Sequence, residues 1–195
     1  MSKQLILASG SPRRHEILTN LGVQFTSLSP DIDENIIDNE RATDYVSRLA
    51  REKCKSVFAR SAQQVVVLGS DTSILIDQKI LTKPSCEDHS VEMLMSLSGK
   101  WHQVLTAVAV MDNQTMEQIL VSSDVEFCQL NEAMCRTYWR TGEPADKAGS
   151  YAIQGIGSRF VRQIQGSYTA IVGLPAMQTA QLLERFAVDT WVFTK

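Results

Sequence analysis

The densest set of groups able to do chemistry lies near the start of the sequence, in SGSPRR at residues 9–14. An apolar run at residues 5–8 precedes it, and a helical pattern over residues 12–21 follows. A strand–turn–helix of this kind aims unpaired backbone N–H groups and the positive end of a helix dipole at the turn. Gly10 lets backbone approach a ligand closely, and Ser9 and Ser11 add hydroxyl donors. Arg13 and Arg14 place two permanent cations at the same end, where they oppose the dipole unless an anion arrives. The combination reads as a phosphate site, and the plain alternative is a solvated basic first turn. It is not a P-loop, since no GxxxxGKS/T occurs in the chain.

Five further positions carry chemistry. Asp71 follows an apolar run at residues 65–68 through Gly69 and Ser70, which predicts a place at the end of a central strand. Ligands of open α/β sheets gather at such ends, and a carboxylate there can bind a divalent cation or take a proton from water. Lys53 falls on the apolar stripe of a helix, four residues after Leu49, where a lysine by itself snorkels along the core edge unless it faces a buried anion. Lys83, before Pro84, leaves a hairpin and by itself reads as an ordinary edge-strand lysine. Glu34 belongs to an acidic loop with Asp31 and Asp33, either solvated or coordinating metal beside phosphate. Gln154 lies in YAIQG between Gly149 and Gly157; its amide both donates and accepts, which suits a base edge as well as a turn.

The elements that must position these groups follow from periodicity and stop signals. Ser11 at the cap, Pro12 at the first position and Gly22 beyond the end bound the first helix. Residues 42–60 form the longest helical pattern, with Tyr45, Val46, Leu49, Ala50, Cys54 and Val57 on one face. Residues 73–77 and 79–82 read as a hairpin around Asp77 and Gln78. A helix over residues 85–98, capped by Ser85, two long strands at 104–112 and 119–130, and a helix over 131–141 follow. A strand at 160–164 and a helix after Pro175 complete the pattern. Alternating helices and strands with hairpins predict an α/β fold whose sheet is not wholly parallel.

At 195 residues the chain has the length of one domain, taken as 1–195, and can build a core without staples. Its net charge of −3 offers nothing to a nucleic-acid backbone or an anionic membrane. No apolar run approaches the roughly 18 residues that cross a bilayer. The opening residues lack the longer apolar region of a secretory signal, which sets an expectation of cytoplasmic residence. The four cysteines form no CxxC, and with His15, His89 and His102 they match no zinc spacing.

Taken together, SGSPRRHEIL, REK at 51–53, GSDT at 69–72, KP at 83–84, DKAGSYAIQG at 146–155 and VGLP at 172–175 resemble the Maf nucleotide pyrophosphatases, from about residue 5 to 186. The arginine pair and DKAGSYAIQG look most like the branch acting on dTTP and UTP. The resemblance implies a mixed, twisted α/β sheet in two lobes around a cleft, shared with inosine-triphosphate pyrophosphatases. It also implies a cytoplasmic, often dimeric enzyme that needs Mg²⁺ or Mn²⁺. By motif position, Asp71 is the general base, and Ser9, Arg14, Lys53 and Lys83 line the phosphate path. Glu34 helps hold metal with Asp71, although neighbouring Asp33 could share that role. Arg13, Thr72 and Gln154 take the specificity positions.

That reading is chemically coherent. Cationic side chains offset triphosphate charge and the charge that shifts onto departing pyrophosphate. A Gln154 amide complements both O4 and N3–H of uracil and thymine, whereas cytosine places an amino group where O4 would be. A non-catalytic nucleotide-binding regulator of cell division is the alternative. Asp71 among cations argues against it, since a pure phosphate binder gains nothing from a carboxylate beside its anion unless metal bridges them. A nucleic-acid-binding role is weakest, because no aromatic–basic stripe occurs.

Overall fold

The apolar run near the start becomes β1 (Gln4–Leu7), and the Pro12-led pattern becomes α1 (Pro12–Asn20). The computed structural model describes residues 3–61 and 64–193. After α1 come β2 (Phe25–Ser27), α2 (Ala42–Phe58), β3 (Val65–Ile76), β4 (Lys79–Leu81) and α3 (Glu87–Leu97). β5 (Trp101–Met111), β6 (Met116–Phe127), α4 (Glu132–Trp139), β7 (Val161–Gln165), α5 (Tyr168–Val172) and α6 (Ala176–Arg185) complete the order.

The strands form one mixed sheet in the order β2-β1-β3-β5-β6-β7, with β4 paired to β3. β1 is parallel to both β2 and β3, whereas the β3–β4 and β6–β7 pairs are antiparallel. This is the α/β fold with a mixed sheet that the sequence predicts. Asp77 and Gln78 both take positive φ (48° and 65°) at the β3–β4 turn, the backbone of a tight two-residue hairpin. Among the described residues no helix is long and apolar enough to cross a membrane.

The structure corrects three local expectations. Asp71 does not end a strand: β3 continues to Ile76. Its parallel partner stops first, at the pair Leu7–Leu68, and the later residues of β3 find β4 instead, through Ile74–Leu81 to Ile76–Lys79. Ser85 does not cap α3. Cys86 occupies that position, and the Ser85 hydroxyl and N–H both reach His89 Nδ1, at 3.1 and 3.2 Å. Ser11 does sit at the α1 cap position, but its side chain makes no capping bond. β2 and α5 escape periodicity because three and five residues are too few to show one.

The chain divides into two compact units, one of residues 1–71, 106–121 and 173–195 and one of residues 72–105 and 122–172. In the second, Phe127, Tyr138, Tyr151 and Phe160 pack by edge and tilted ring contacts. His102 is buried there, its Nε2 2.8 Å from the Tyr151 hydroxyl. Burial lowers its pKa to about 4, so the ring is neutral near pH 7. All four cysteines are free thiols.

In the first unit, α2 buries the stripe expected of it and lies hard against β3. A Cβ on Gly69 would stand 2.5 Å from the Ala50 carbonyl oxygen and 2.9 Å from the Cys54 nitrogen. Both are backbone atoms, so no side chain can move aside. Gly69→Ala therefore costs about 1–3 kcal/mol through overpacking, read as a lower urea midpoint. An unchanged midpoint would show that α2 tolerates a wider seat.

Candidate functional site

Helical spacing turns Lys53 toward β3, one turn beyond the Ala50–Gly69 contact. Its side chain does not snorkel. Lys53 and Asp71 are only 6% and 8% exposed, and the ammonium donates to Asp71 Oδ1 at 2.6 Å. It also meets Glu34 Oε1 at 2.8 Å. Two carboxylates hold the ammonium inside, where water along the core edge would otherwise draw it out.

Glu34 reaches this position because its loop is tied to α2. The Tyr45 hydroxyl donates to the Glu34 carbonyl oxygen at 2.9 Å. Arg48 donates to Glu40 through Nε and Nη2, at 2.7 and 2.8 Å, and through Nη2 to the Asn35 carbonyl at 3.0 Å. The same guanidinium lies 5.6 Å over the Tyr45 ring. Burial, reinforced by the charges of Asp71 and Glu34, pushes the Tyr45 phenol up to about 12, so it remains a donor at neutral pH. Asp33 is engaged locally, its Oδ1 accepting from the Asn35 N–H at 2.9 Å.

The SGSPRR turn supplies the second half of this unit's polar cluster. Ser9 is buried, and its Oγ accepts from the Ser11 N–H at 3.1 Å and from Arg14 Nη1 at 3.2 Å. Arg14 Nε donates to the Gly173 carbonyl at 2.9 Å, which also accepts the Ser70 hydroxyl at 3.0 Å. Gly173 has φ of 132°, a backbone that a side chain would strain, and that conformation accompanies the carbonyl's double role. Burial lowers the Arg14 pKa from its ordinary value; Asp71 and Glu34 pull it upward, and Arg13 adds to the lowering. Ser9, Arg14, Glu34, Lys53 and Asp71 thus converge within one unit, with Arg13 at the same end of α1.

Thr72 follows Asp71 in β3 and opens the second unit, to which Lys83 and Gln154 also belong. Lys83 is exposed, two residues beyond β4. The Thr82 carbonyl beside it accepts from the Gly149 N–H at 3.0 Å, which joins the KP and DKAGSYAIQG motifs. Gln154 is exposed at a turn. Four residues that serve the site carry no assigned role in the sequence reading: Tyr45, Arg48, Ser70 and Gly173. Ser70 and Gly173 lie inside motifs noted for their order, GSDT and VGLP, but nothing in either string says that they share an acceptor. Tyr45 and Arg48 look like ordinary helix residues until the loop beside them is seen.

Glu34 and Asp71 meet at one ammonium, so a divalent cation would find two hard oxygen donors there. Mg²⁺ commonly takes one or two carboxylates and completes its shell with water and substrate phosphate. Among the described residues no larger His, Cys, Asp or Glu group could hold a metal. The donor set fits Mg²⁺ or Mn²⁺ on those terms.

Anchored cations beside a buried acid offer charge-assisted donors of the kind that bind phosphate. The family model described as Maf-like protein matches residues 4–186, and the chain belongs to the Maf family. It is 50% identical over 187 residues to a dTTP/UTP pyrophosphatase of Pseudoalteromonas atlantica, covering 94% of this chain and 97% of that one. A dTTP/UTP pyrophosphatase of Hahella chejuensis is 48% identical, with coverage of 97% and 95%. One of Vibrio parahaemolyticus is also 48% identical, with coverage of 95% and 98%. Among solved structures, the Staphylococcus aureus Ham1 protein aligns over 95% of this chain and 94% of its own at 11% identity and a TM-score of 0.49.

Removing one partner of a buried ion pair leaves the other charge uncompensated, at about 3–5 kcal/mol. Lys53→Met is therefore expected to lower stability on that scale in urea denaturation. Adding Asp71→Asn should restore part of the loss, because the buried unpaired carboxylate is then gone and the charge left beside the methionine is that of Glu34, which is exposed to solvent. A double variant less stable than Lys53→Met alone would overturn this account of the pair.

Proposed function

We propose that this chain hydrolyses dTTP and UTP to the nucleoside monophosphate and pyrophosphate, with Asp71 taking the proton of the attacking water. The observation that carries the reading is the Asp71–Lys53–Glu34 cluster beside an anchored Arg14, in a chain half identical to a dTTP/UTP pyrophosphatase. Family membership supports extending the proposal to a divalent-metal requirement, cytoplasmic residence and a dimer.

Contacts within the first unit support roles for Ser9, Arg14, Glu34, Lys53 and Asp71, and motif position supports those of Arg13, Thr72, Lys83 and Gln154. Gly173 and Ser9 hold Arg14 from two sides, so its guanidinium binds phosphate with little loss of side-chain freedom. Ser9 adds a hydroxyl beside it. Lys53 orients the Asp71 carboxylate through Oδ1, and Asp71 takes the proton of the attacking water. As departing pyrophosphate gathers charge, Arg14, Lys53 and Lys83 offset it. Glu34 and Asp71 would hold Mg²⁺ or Mn²⁺, which when bound neutralises phosphate charge and acidifies water. Arg13, Thr72 and Gln154 select the base, with the Gln154 amide complementing O4 and N3–H together.

Asp71→Asn keeps the shape but loses the acceptor, and turnover should fall by about 10²–10⁴-fold at saturating dTTP with Mg²⁺. Near-normal pyrophosphate release from the purified variant would remove Asp71 from the base role. In a panel of nucleoside triphosphates, dTTP and UTP should both be substrates, since one methyl is worth about 1–3 kcal/mol in a pocket. dCTP and the purine triphosphates should react far more slowly. Preference for a purine triphosphate would defeat the pyrimidine assignment, and orthophosphate as the first product would move cleavage to the terminal bond.

A further inference from the structure

The YAIQG segment is held by a device outside every motif considered so far. The Ala152 carbonyl accepts from the Gly155 N–H at 3.2 Å, which closes a four-residue turn with Ile153 and Gln154 at its corners. Ile153 packs against the buried core of its unit, and Gln154 is exposed. Both flanks of this turn are tied to α4 and the residues after it. Before the corner, the Ala152 N–H donates to the Tyr138 hydroxyl oxygen at 3.1 Å. After it, the Ile156 N–H donates to Glu143 Oε2 and the Gly157 N–H to Glu143 Oε1, each at 2.9 Å. The two anchors are joined, because the Tyr138 hydroxyl donates to Glu143 Oε1 at 2.6 Å.

The fit leaves no slack. A Cβ on Gly155 would collide with Glu143 Oε2, and one on Gly157 would stand 2.6 Å from the Tyr138 hydroxyl oxygen. Tyr138 is itself fixed, buried with its ring edge-on to Phe160 at 5.0 Å. Burial pushes the Glu143 pKa up, but the Tyr138 hydroxyl and the Gly157 and Ile156 N–H groups outweigh it and hold the carboxyl below its ordinary value. Glu143 is thus an ionised acceptor serving three donors.

We propose that Glu143 and Tyr138 are positioning residues for base selection, holding the Ala152–Gly157 turn so that Gln154 presents its amide in one orientation. The proposal rests on the reading above that Gln154 meets the pyrimidine edge. A carboxylate is required because a carboxamide offers one acceptor oxygen and sets its NH₂ against a donor.

The test is steady-state kinetics on dTTP, UTP and dCTP with Mg²⁺ for Glu143→Gln, Gln154→Ala and the double variant. Glu143→Gln should raise KM for dTTP and UTP about tenfold, the scale of one lost hydrogen bond with its partner left unpaired. Its kcat should stay within about threefold of the parent, and its preference for dTTP over dCTP should fall about tenfold. In the Gln154→Ala background, Glu143→Gln should not change that preference further, a coupling that general loosening would not produce. Tyr138→Phe, which keeps the carboxylate, should shift KM and preference in the same direction by less, and serves if Glu143→Gln does not fold. If Gln154→Ala alters the preference while both Glu143→Gln and Tyr138→Phe leave it intact, the positioning role is wrong and the base reading stands. If Gln154→Ala leaves the preference intact, the base reading itself fails and takes this proposal with it.

Discussion

A lysine ammonium buried between two carboxylates constrains everything around it. Lys53 is withdrawn from solvent, and the Asp71 and Glu34 carboxylates stand in for its hydration. The three groups come from a helix, a strand and a loop, so each must be held to within a fraction of an ångström. Gly69 lets α2 sit against β3 with no side chain between them. Tyr45 and Arg48 tie the Glu34 loop down onto the same helix. The pair at the centre is weak evidence for stability by itself. What it secures is geometry, because a displaced helix would strand a charge in the core.

Backbone groups do much of the positioning in both units. In the first, the Gly173 carbonyl orients Arg14 and Ser70 together, so a residue late in the chain fixes a cation near its start. In the second, the Glu143 carboxylate gathers consecutive N–H groups of the Gln154 turn. Each anchor costs little entropy, since the acceptors belong to packed segments whose conformation is already decided. A charged side chain held in this way can bind a ligand without first being ordered, and that favours both affinity and selection among similar substrates. The buried neutral His102 and the buried thiols of Cys54 and Cys135 take no part in this. They belong to the packing that keeps the anchors rigid.

Much of the fold was legible from residue types alone. The apolar stripe of α2, the hairpin at Asp77 and Gln78 and the helix stop at Gly22 depend on neighbours within a few positions, which is what periodicity and turn chemistry report. The site's charged members were legible as residues of chemical interest, and their order along the chain resembles one family. The local readings of Lys53 and Asp71 still went astray. A lysine on an apolar stripe has the same spacing whether it snorkels or faces an anion, and Gly69-Ser70 looks like a break until α2 is seen to require a glycine inside an unbroken strand. Tyr45, Arg48, Tyr138, Glu143 and Gly173 gave no local signal, because their partners lie on other segments.

The sequence by itself determined which groups are present, which short segments are helical or extended, and which family they resemble, since these follow from local sterics, periodicity and motif order. Only the tertiary structure decided which carboxylates share Lys53, which carbonyl turns Arg14 and what pins the Gln154 turn. Those are meetings between residues distant in the chain, and short directional bonds in a desolvated interior exist only after packing has brought their partners to within about 3 Å.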